Sequence, residues 1–400
     1  MRSNAFILIL SLFSVLLNAK EEIRALDYLN TVRQNSGLIP LKENKLLNRA
    51  ALSHANYLVL QQKLGHIEQY NHKGYTGKTP AERVVYFGYP SKDVMENIAV
   101  NTKNGITAID DLLAAIYHRF VFLSIDKDEI GIGRASTGKF KPIKDAYVFN
   151  LGSSKLNALC QKVYVPLNQV IYLQNVCKDG KALIPQALYE ENQNEIKSQN
   201  TKVVLHPYPG QKEVMTVFYN EEPDPLPDYD VSGYPISVQF NDRYVSSVQL
   251  TSFRLFDDKH REIVQNRVFT YENDPQKYLK KTQFALMPLK RLEYATTYRV
   301  EFEAEVDGER YQKSWKFTTK RFNDTLYRIT NKTTQIDAEP GSTLILYFVP
   351  NSHHDVLKGF SATHGLKVSF IDNNTLKVNI TDAVVGAASI KAGGRTILFK

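Results

Sequence analysis

At 400 residues the chain is too long for one hydrophobic core and long enough for several domains. Hydrophobic residues at 43% and charged residues at 23% exclude global disorder and a membrane-embedded body. The net charge of +8 is spread along the chain without a basic arm, which argues against nucleic acid as a partner and leaves only diffuse attraction to acidic envelope polymers or lipid headgroups.

Residues 1–19 read as a secretory signal peptide. Arg2 gives a positive start, Phe6 to Leu17 is almost wholly apolar, and Leu17-Asn18-Ala19 ends in a small residue before the charged run Lys20-Glu21-Glu22. The alternative is an uncut membrane anchor, for which so short an apolar run is poorly suited. No later stretch is apolar enough to span a bilayer. The expected location is extracytoplasmic, secreted or periplasmic, with nothing transmembrane after cleavage.

Residues 20–155 read as mixed α and β. Ile23, Leu26, Leu29 and Val32 mark a first helix ending near Gly37, and Leu46, Leu47, Ala50, Ala51, His54 and Leu58 mark a second that continues to about Leu64. Thr79-Pro80-Ala81-Glu82 combines a capping box with proline at the first helical position, so a third, short helix is expected to reach Phe87 and stop at Gly88. A fourth carries Ile109, Leu112, Leu113 and Ile116 on one face behind a Thr107 cap. Glu129–Arg134 and Tyr147–Leu151 then read as strands.

Residues 156–230 read as a connector. Its first part holds Cys160 and Cys177, which in an oxidising compartment point to a local disulfide, the alternative being two buried free thiols. Its last part, Glu221 to Asp228, is too rich in proline and acid to continue a helix or a central strand. From 231 to 320 the pattern is β: Tyr298, Val300, Phe302, Ala304 and Val306 alternate, and Asp307-Gly308 precedes Tyr311, Trp315 and Phe317, a strong hairpin signal. Residues 321–400 read as a small β domain, with Leu366, Val368 and Phe370 turned through Asp372-Asn373-Asn374 onto Leu376, Val378 and Ile380.

The chain has no Gly-x-Ser-x-Gly elbow, His-Glu-x-x-His zinc helix, phosphate-binding glycine-lysine loop or Cys-x-x-Cys pair. It has instead an ordered series: His54, "LGHIE" with His66, "GYTGKTPAER", "GYPSKDVMENIAV" with Glu96, "YHRFVFLSIDKDEIGIG" with His118, and "YVFNLG". Together these resemble the CAP (SCP/PR-1-like, cysteine-rich secretory protein) domain over residues 22–155. Residues 231–319 resemble, more weakly, bacterial Ig-like modules. The implied architecture is α+β: an α-β-α sandwich, then an all-β Ig-like sandwich, then a small C-terminal β domain.

The family cleft usually holds two histidines and two acids. By motif position His66 matches the first histidine, with His72 as its rival, Glu96 the first acid and His118 the second histidine. The second acid has no counterpart, because the segment before His118 reads Leu112-Leu113-Ala114-Ala115-Ile116-Tyr117. Two imidazoles and a carboxylate are the minimum for an open divalent-metal site, zinc or magnesium, and would serve equally as a hydrogen-bonded network. His54, on the apolar face of its helix, reads as a core histidine. The expected function is binding of a lipid, an envelope polymer or a protein partner. The alternatives are metal-assisted hydrolysis of peptide or envelope polymer through His66, Glu96 and His118, and a structural envelope role.

Overall fold

The computed structural model describes residues 21–138, 141–381 and 388–400; the expected signal peptide, residues 1–19, lies outside them. Three units follow one another. The first opens with helix α1 (21–35), which ends at Gly37, where φ is +93°. Then come β1 (Lys42–Glu43), α2 (Lys45–Gln61), α3 (Pro80–Tyr86), β2 (Met95–Val100), α4 (Gly105–Ala114), α5 (Ile116–Phe122), β3 (Glu129–Ser136) and β4 (Asp145–Gly152). The sheet order is β1-β3-β4-β2, with β1 parallel to β3 and the other pairs antiparallel.

Helices cover both faces of this sheet. On one face Ala25, Leu29, Val32, Ile109 and Leu112 pack on Ile130, Tyr147, Phe149 and Leu151. On the other Ala51, Ala55 and Leu58 of α2 pack on Ala146 and Val148. The two-residue period of β4 thus feeds both layers. Gly131 and Gly133 are where α2 touches β3: a Cβ on either would lie 2.1 and 2.0 Å from α2 backbone atoms. The glycines of "EIGIG" let helix and strand backbones meet.

Three helix expectations need correction. Helix α4 is capped by Asn104, whose side chain accepts from Thr107 N, and not by Thr107. The fourth helix is also broken at extended Ala115 (φ −92°, ψ 111°), so Ile116 starts α5. Buried Arg119 accommodates the break, donating from Nε to the freed Leu113 carbonyl at 2.6 Å. Helix α2 stops at Gln61 because Gln62 turns left-handed at φ +56°.

The expected connector is largely structured. Helix α6 (Ser154–Leu159) leads to the Cys160–Cys177 disulfide, with Cα atoms 5.4 Å apart. A short β5–β6 pair (Tyr172–Leu173, Ile184–Pro185) and helix α7 (Gln186–Lys197) follow, and Leu188 and Tyr189 of α7 pack against Leu156 and Leu159. Strand β7 (Val203–His206) already belongs to the sandwich, and β8 (Val217–Tyr219) pairs with β9 (Val231–Gly233). The proline-acid run is the loop between β8 and β9. It is anchored by Leu226, fully buried beside Tyr117, Phe120 and Phe269.

The sandwich faces a four-stranded sheet against a three-stranded one. The first is ordered β12 (Asn266–Phe269), β13 (Gln283–Pro288), β10 (Ile236–Phe240), β7; the second β11 (Val248–Phe256), β14 (Thr297–Val306), β15 (Glu309–Thr318). Phe240, Leu255, Phe284, Val300, Phe302 and Trp315 fill its core. Asp307 and Gly308 both take positive φ, the geometry a tight antiparallel hairpin demands, and β14 and β15 pair from Val306↔Glu309 to Thr297↔Thr318. The C-terminal unit stacks two further four-stranded sheets, and Leu366↔Ile380, Val368↔Val378 and Phe370↔Leu376 pair as the alternation implies.

This last unit docks on the sandwich through a buried ion pair. Arg291 donates to both Asp372 oxygens, at 2.8 and 2.6 Å, and from Nε to Thr216 at 3.0 Å, while its guanidinium lies 4.7 Å from the Tyr347 ring centre. Burial alone would push Asp372 up, but the charge and hydrogen bonds of Arg291 outweigh it and hold the carboxyl at about 2. With the folded value depressed from 3.8, this contribution is present above pH 3.8 and disappears as the pH falls towards 2. Asp372→Asn should cost about 3–5 kcal/mol, because Arg291 is left buried and unpaired. Urea unfolding followed from pH 5 to pH 2 should show the wild type losing stability over that window, and the variant losing less.

Candidate functional site

The local sequence of α3 places the site's cation. Thr79 caps the helix by accepting from Glu82 N at 3.3 Å, Pro80 supplies a preset φ, and the Glu82 carboxylate reaches back to Lys78 N at 2.9 Å. One turn in, Arg83 points inward and is fully buried. Its Nη1 donates to the His66 carbonyl at 2.9 Å, and its Nη2 to both Glu96 oxygens at 2.8 and 2.9 Å.

Glu96 comes from β2, the edge strand, opposite Asn150 on β4. With its amide nitrogen turned towards Glu96, Asn150 donates to Oε2 at 3.0 Å. His66 Nδ1 lies 2.9 Å from Oε1. Burial would raise the Glu96 pKa, but the His66 hydrogen bond and the charge of Arg83 prevail and hold it below the usual carboxylate range. Behind this group His54 is fully buried, with Nδ1 2.9 Å from Glu68 Oε1 and Nε2 3.0 Å from the Gly65 carbonyl. It is a satisfied core histidine that fixes the loop carrying His66.

His118 lies near the start of α5, and Asn97 of β2 donates to its carbonyl at 2.9 Å. Its Nδ1 sits 3.1 Å from Glu221 Oε2, a charge contact without the alignment of a hydrogen bond. Burial pushes the Glu221 carboxyl up and His118 pulls it partly back. Glu221 belongs to the proline-acid loop, so an acid does face the second histidine, from a segment over a hundred residues away.

His66, Glu96 and His118 line one cavity of about 310 Å³. Met95, Tyr117, Phe120, Val121 and Ile125 add apolar wall from the first unit, and Pro223, Gln239, Tyr278, Lys280 and Gln283 close it from the sandwich. His72 is exposed, 3.5 Å from the Tyr57 hydroxyl, and does not line the cavity. A larger hollow of about 470 Å³, on the seam between sandwich and C-terminal unit, lies away from these residues.

The donor set does not fit a divalent metal. Both Glu96 oxygens are engaged by Arg83, and no group of three His, Cys, Asp or Glu side chains among the described residues is placed to hold an ion. Sequence reasoning missed Arg83, although it stands in the quoted "GYTGKTPAER", because a charged residue on a short amphipathic helix is ordinarily assigned to solvent.

Three outcomes follow from this geometry. Arg83→Met should cost about 3–5 kcal/mol through the stranded carboxylate, and Arg83→Met with Glu96→Met should recover much of it, read by thermal melting. Because the folded pKa of Glu96 is lowered, the pair's contribution is present above pH 4.5 and declines on acidification, a slope the double variant should lack. Zinc titration by calorimetry near neutral pH should give no saturable heat dependent on His66 or His118. A heat lost in both His66→Ala and His118→Ala would restore the metal reading.

Residues 26–149 match the model of the cysteine-rich secretory protein family, CAP. No curated protein matches the sequence. Among solved structures, an outer surface protein of Borrelia burgdorferi aligns at 19% identity and TM-score 0.29, over 33% of this chain and 92% of its own. An extracellular SCP-domain protein of Bacillus anthracis aligns at 20% identity and TM-score 0.28, over 34% and 40% respectively. An endo-fucoidan hydrolase of glycoside hydrolase family 107 aligns at 11% identity and TM-score 0.24, over 58% and 40%. No helix among the described residues is long and apolar enough to cross a membrane. The α-β-α layering, the "ENIA" edge strand and the family match together identify residues 26–149 as a CAP domain, followed in this chain by an Ig-like sandwich and a small β unit.

Proposed function

We propose that the protein acts outside the cytoplasm by binding a small amphipathic molecule, an acyl chain or sterol-like body with a hydrogen-bonding end, in the cleft between the CAP domain and the sandwich. The observation that carries this reading is the composition of the cavity. Met95, Phe120, Val121 and Ile125 offer apolar surface, and His66, His118, Gln239 and Gln283 border the same space. Export is supported by the signal-peptide-like pattern of residues 1–19 and by the Cys160–Cys177 bridge, which suits an oxidising compartment.

Hydrolysis is not favoured. Glu96 is committed to Arg83, and the cleft's one serine, Ser124, donates to Asp126 rather than facing a histidine, while the Tyr117 hydroxyl donates to Asp274. A general base with nothing to activate, or a carboxylate that cannot leave its cation, gives no covalent or metal-water route.

Titration of the full chain with the fluorescent fatty acid cis-parinaric acid tests the proposal. Saturable enhancement is expected, weakened about tenfold or more in Val121→Trp, which fills the cavity from a partly buried position. Equal binding by wild type and variant, with melting unchanged, would place any ligand elsewhere.

A further inference from the structure

Two loops of the sandwich roof the cleft. Residues 270–282, between β12 and β13, bring Tyr278 and Lys280 to the cavity, and the proline-acid loop between β8 and β9 brings Pro223. Tyr278 lines the cavity yet is 63% exposed, so it stands at the mouth. Asp274 organises its loop from inside. This residue is 3% exposed, and its carboxylate accepts from Gln276 N at 3.1 Å, Tyr278 N at 2.6 Å and Leu279 N at 2.8 Å. Gln276 in turn donates from Nε2 to the Asp224 carbonyl at 3.0 Å, which ties the second loop to the first.

A fourth donor to Asp274 comes from the opposite wall. Tyr117, in the first turn of α5, gives its hydroxyl to Oδ1, and its ring meets the Tyr278 ring edge-on with centres 5.3 Å apart. Burial and the neighbouring carboxylate push the Tyr117 phenol up, so it remains a donor at ordinary pH. Leu279 is buried in the same apolar cluster as Tyr117, Phe120 and Leu226. A hydrogen bond to a charged acceptor thus runs from the CAP wall of the cleft to the side chain that shapes its roof.

We propose that Tyr117 is a positioning residue for the cleft, its hydroxyl latching the roof and so governing how fast an amphipathic molecule enters and leaves. The inference rests on the reading of the cleft as the ligand site. Tyr117→Phe removes the bond and keeps the ring with its packing. The roof then lifts more easily in the free and the occupied protein alike, so both rates rise while affinity moves little. The strength of one hydrogen bond to a charged group sets the scale at about tenfold.

Two measurements on the full chain test it. Tyr28→Phe is the control, because that hydroxyl also donates to an aspartate, Asp110, but does not line the cavity. Stopped-flow displacement of cis-parinaric acid should show dissociation about tenfold faster in Tyr117→Phe, with Kd changed about threefold or less, and no change in Tyr28→Phe. Hydrogen exchange without ligand should show the Tyr278 and Leu279 amides opening about tenfold more often in Tyr117→Phe alone. Unchanged exchange at these amides, or unchanged dissociation from a protein that binds, overturns the latch and leaves the cleft as the ligand site. Equal acceleration in Tyr28→Phe overturns it too, since the fold would then be loosened generally, as does a raised Kd with association unchanged, which would make Tyr117 a wall contact only. A wild type that does not bind cis-parinaric acid overturns the reading of the cleft and the rate claim with it, and the exchange of the two amides tells that failure from a failure of the latch.

Discussion

A carboxylate buried in the edge of a β-sheet has to be compensated, and the cleft is organised by the compensation of Glu96. An unpaired charge there would cost several kcal/mol, so α3 must deliver Arg83, and α3 in turn depends on its Thr79 cap and on Glu82. Arg83 then spends its other donors on the carbonyls of His66, Lys78 and Gly77, which fixes the loop before the helix. His66 is held twice, by its carbonyl on Arg83 and by its ring on Glu96, yet its side chain stays 43% exposed. The outcome is a rigid polar floor with one imidazole at the mouth.

The roof of the cleft belongs to a different unit. The break at Ala115 turns α5 so that Ile116, Tyr117 and Phe120 meet Phe218, Leu226, Leu279 and Met287 across the seam. Arg119 crosses it too, reaching Ser237 at 3.2 Å and lying 5.0 Å from the Tyr234 ring centre. Asn200, after α7, donates to the Ile125 carbonyl at 2.8 Å and accepts from Ile39 N at 2.8 Å. With apolar burial and buried polar bonds combined, the stretch read as a connector clamps the two units together.

What could be read from the sequence was what short-range physics decides. Thr79-Pro80-Ala81-Glu82 announced a helix start, Asp307-Gly308 a hairpin, and two cysteines in an export context a bridge. His66, Glu96 and His118 could be named because they stand in spaced motifs, and all three border one cavity. The break at Ala115 was hidden because its compensation comes from Arg119 and from a strand over a hundred residues onward. Helix α7 was hidden because Ile196 is its single buried residue, leaving almost no apolar period to detect. The partner of His118 is Glu221, brought back by the fold of the sandwich, and no spacing rule connects them.

Walls contributed by two units make the cavity a mechanical joint as well as a pocket. A molecule lodged between Val121 and Gln239 touches both sides, so its binding free energy is also cohesion of the seam, growing with the logarithm of its concentration above the dissociation constant. An occupied protein would therefore resist being pulled apart more than an empty one. On the proposed reading, the ligand would act as a removable rivet between the two units.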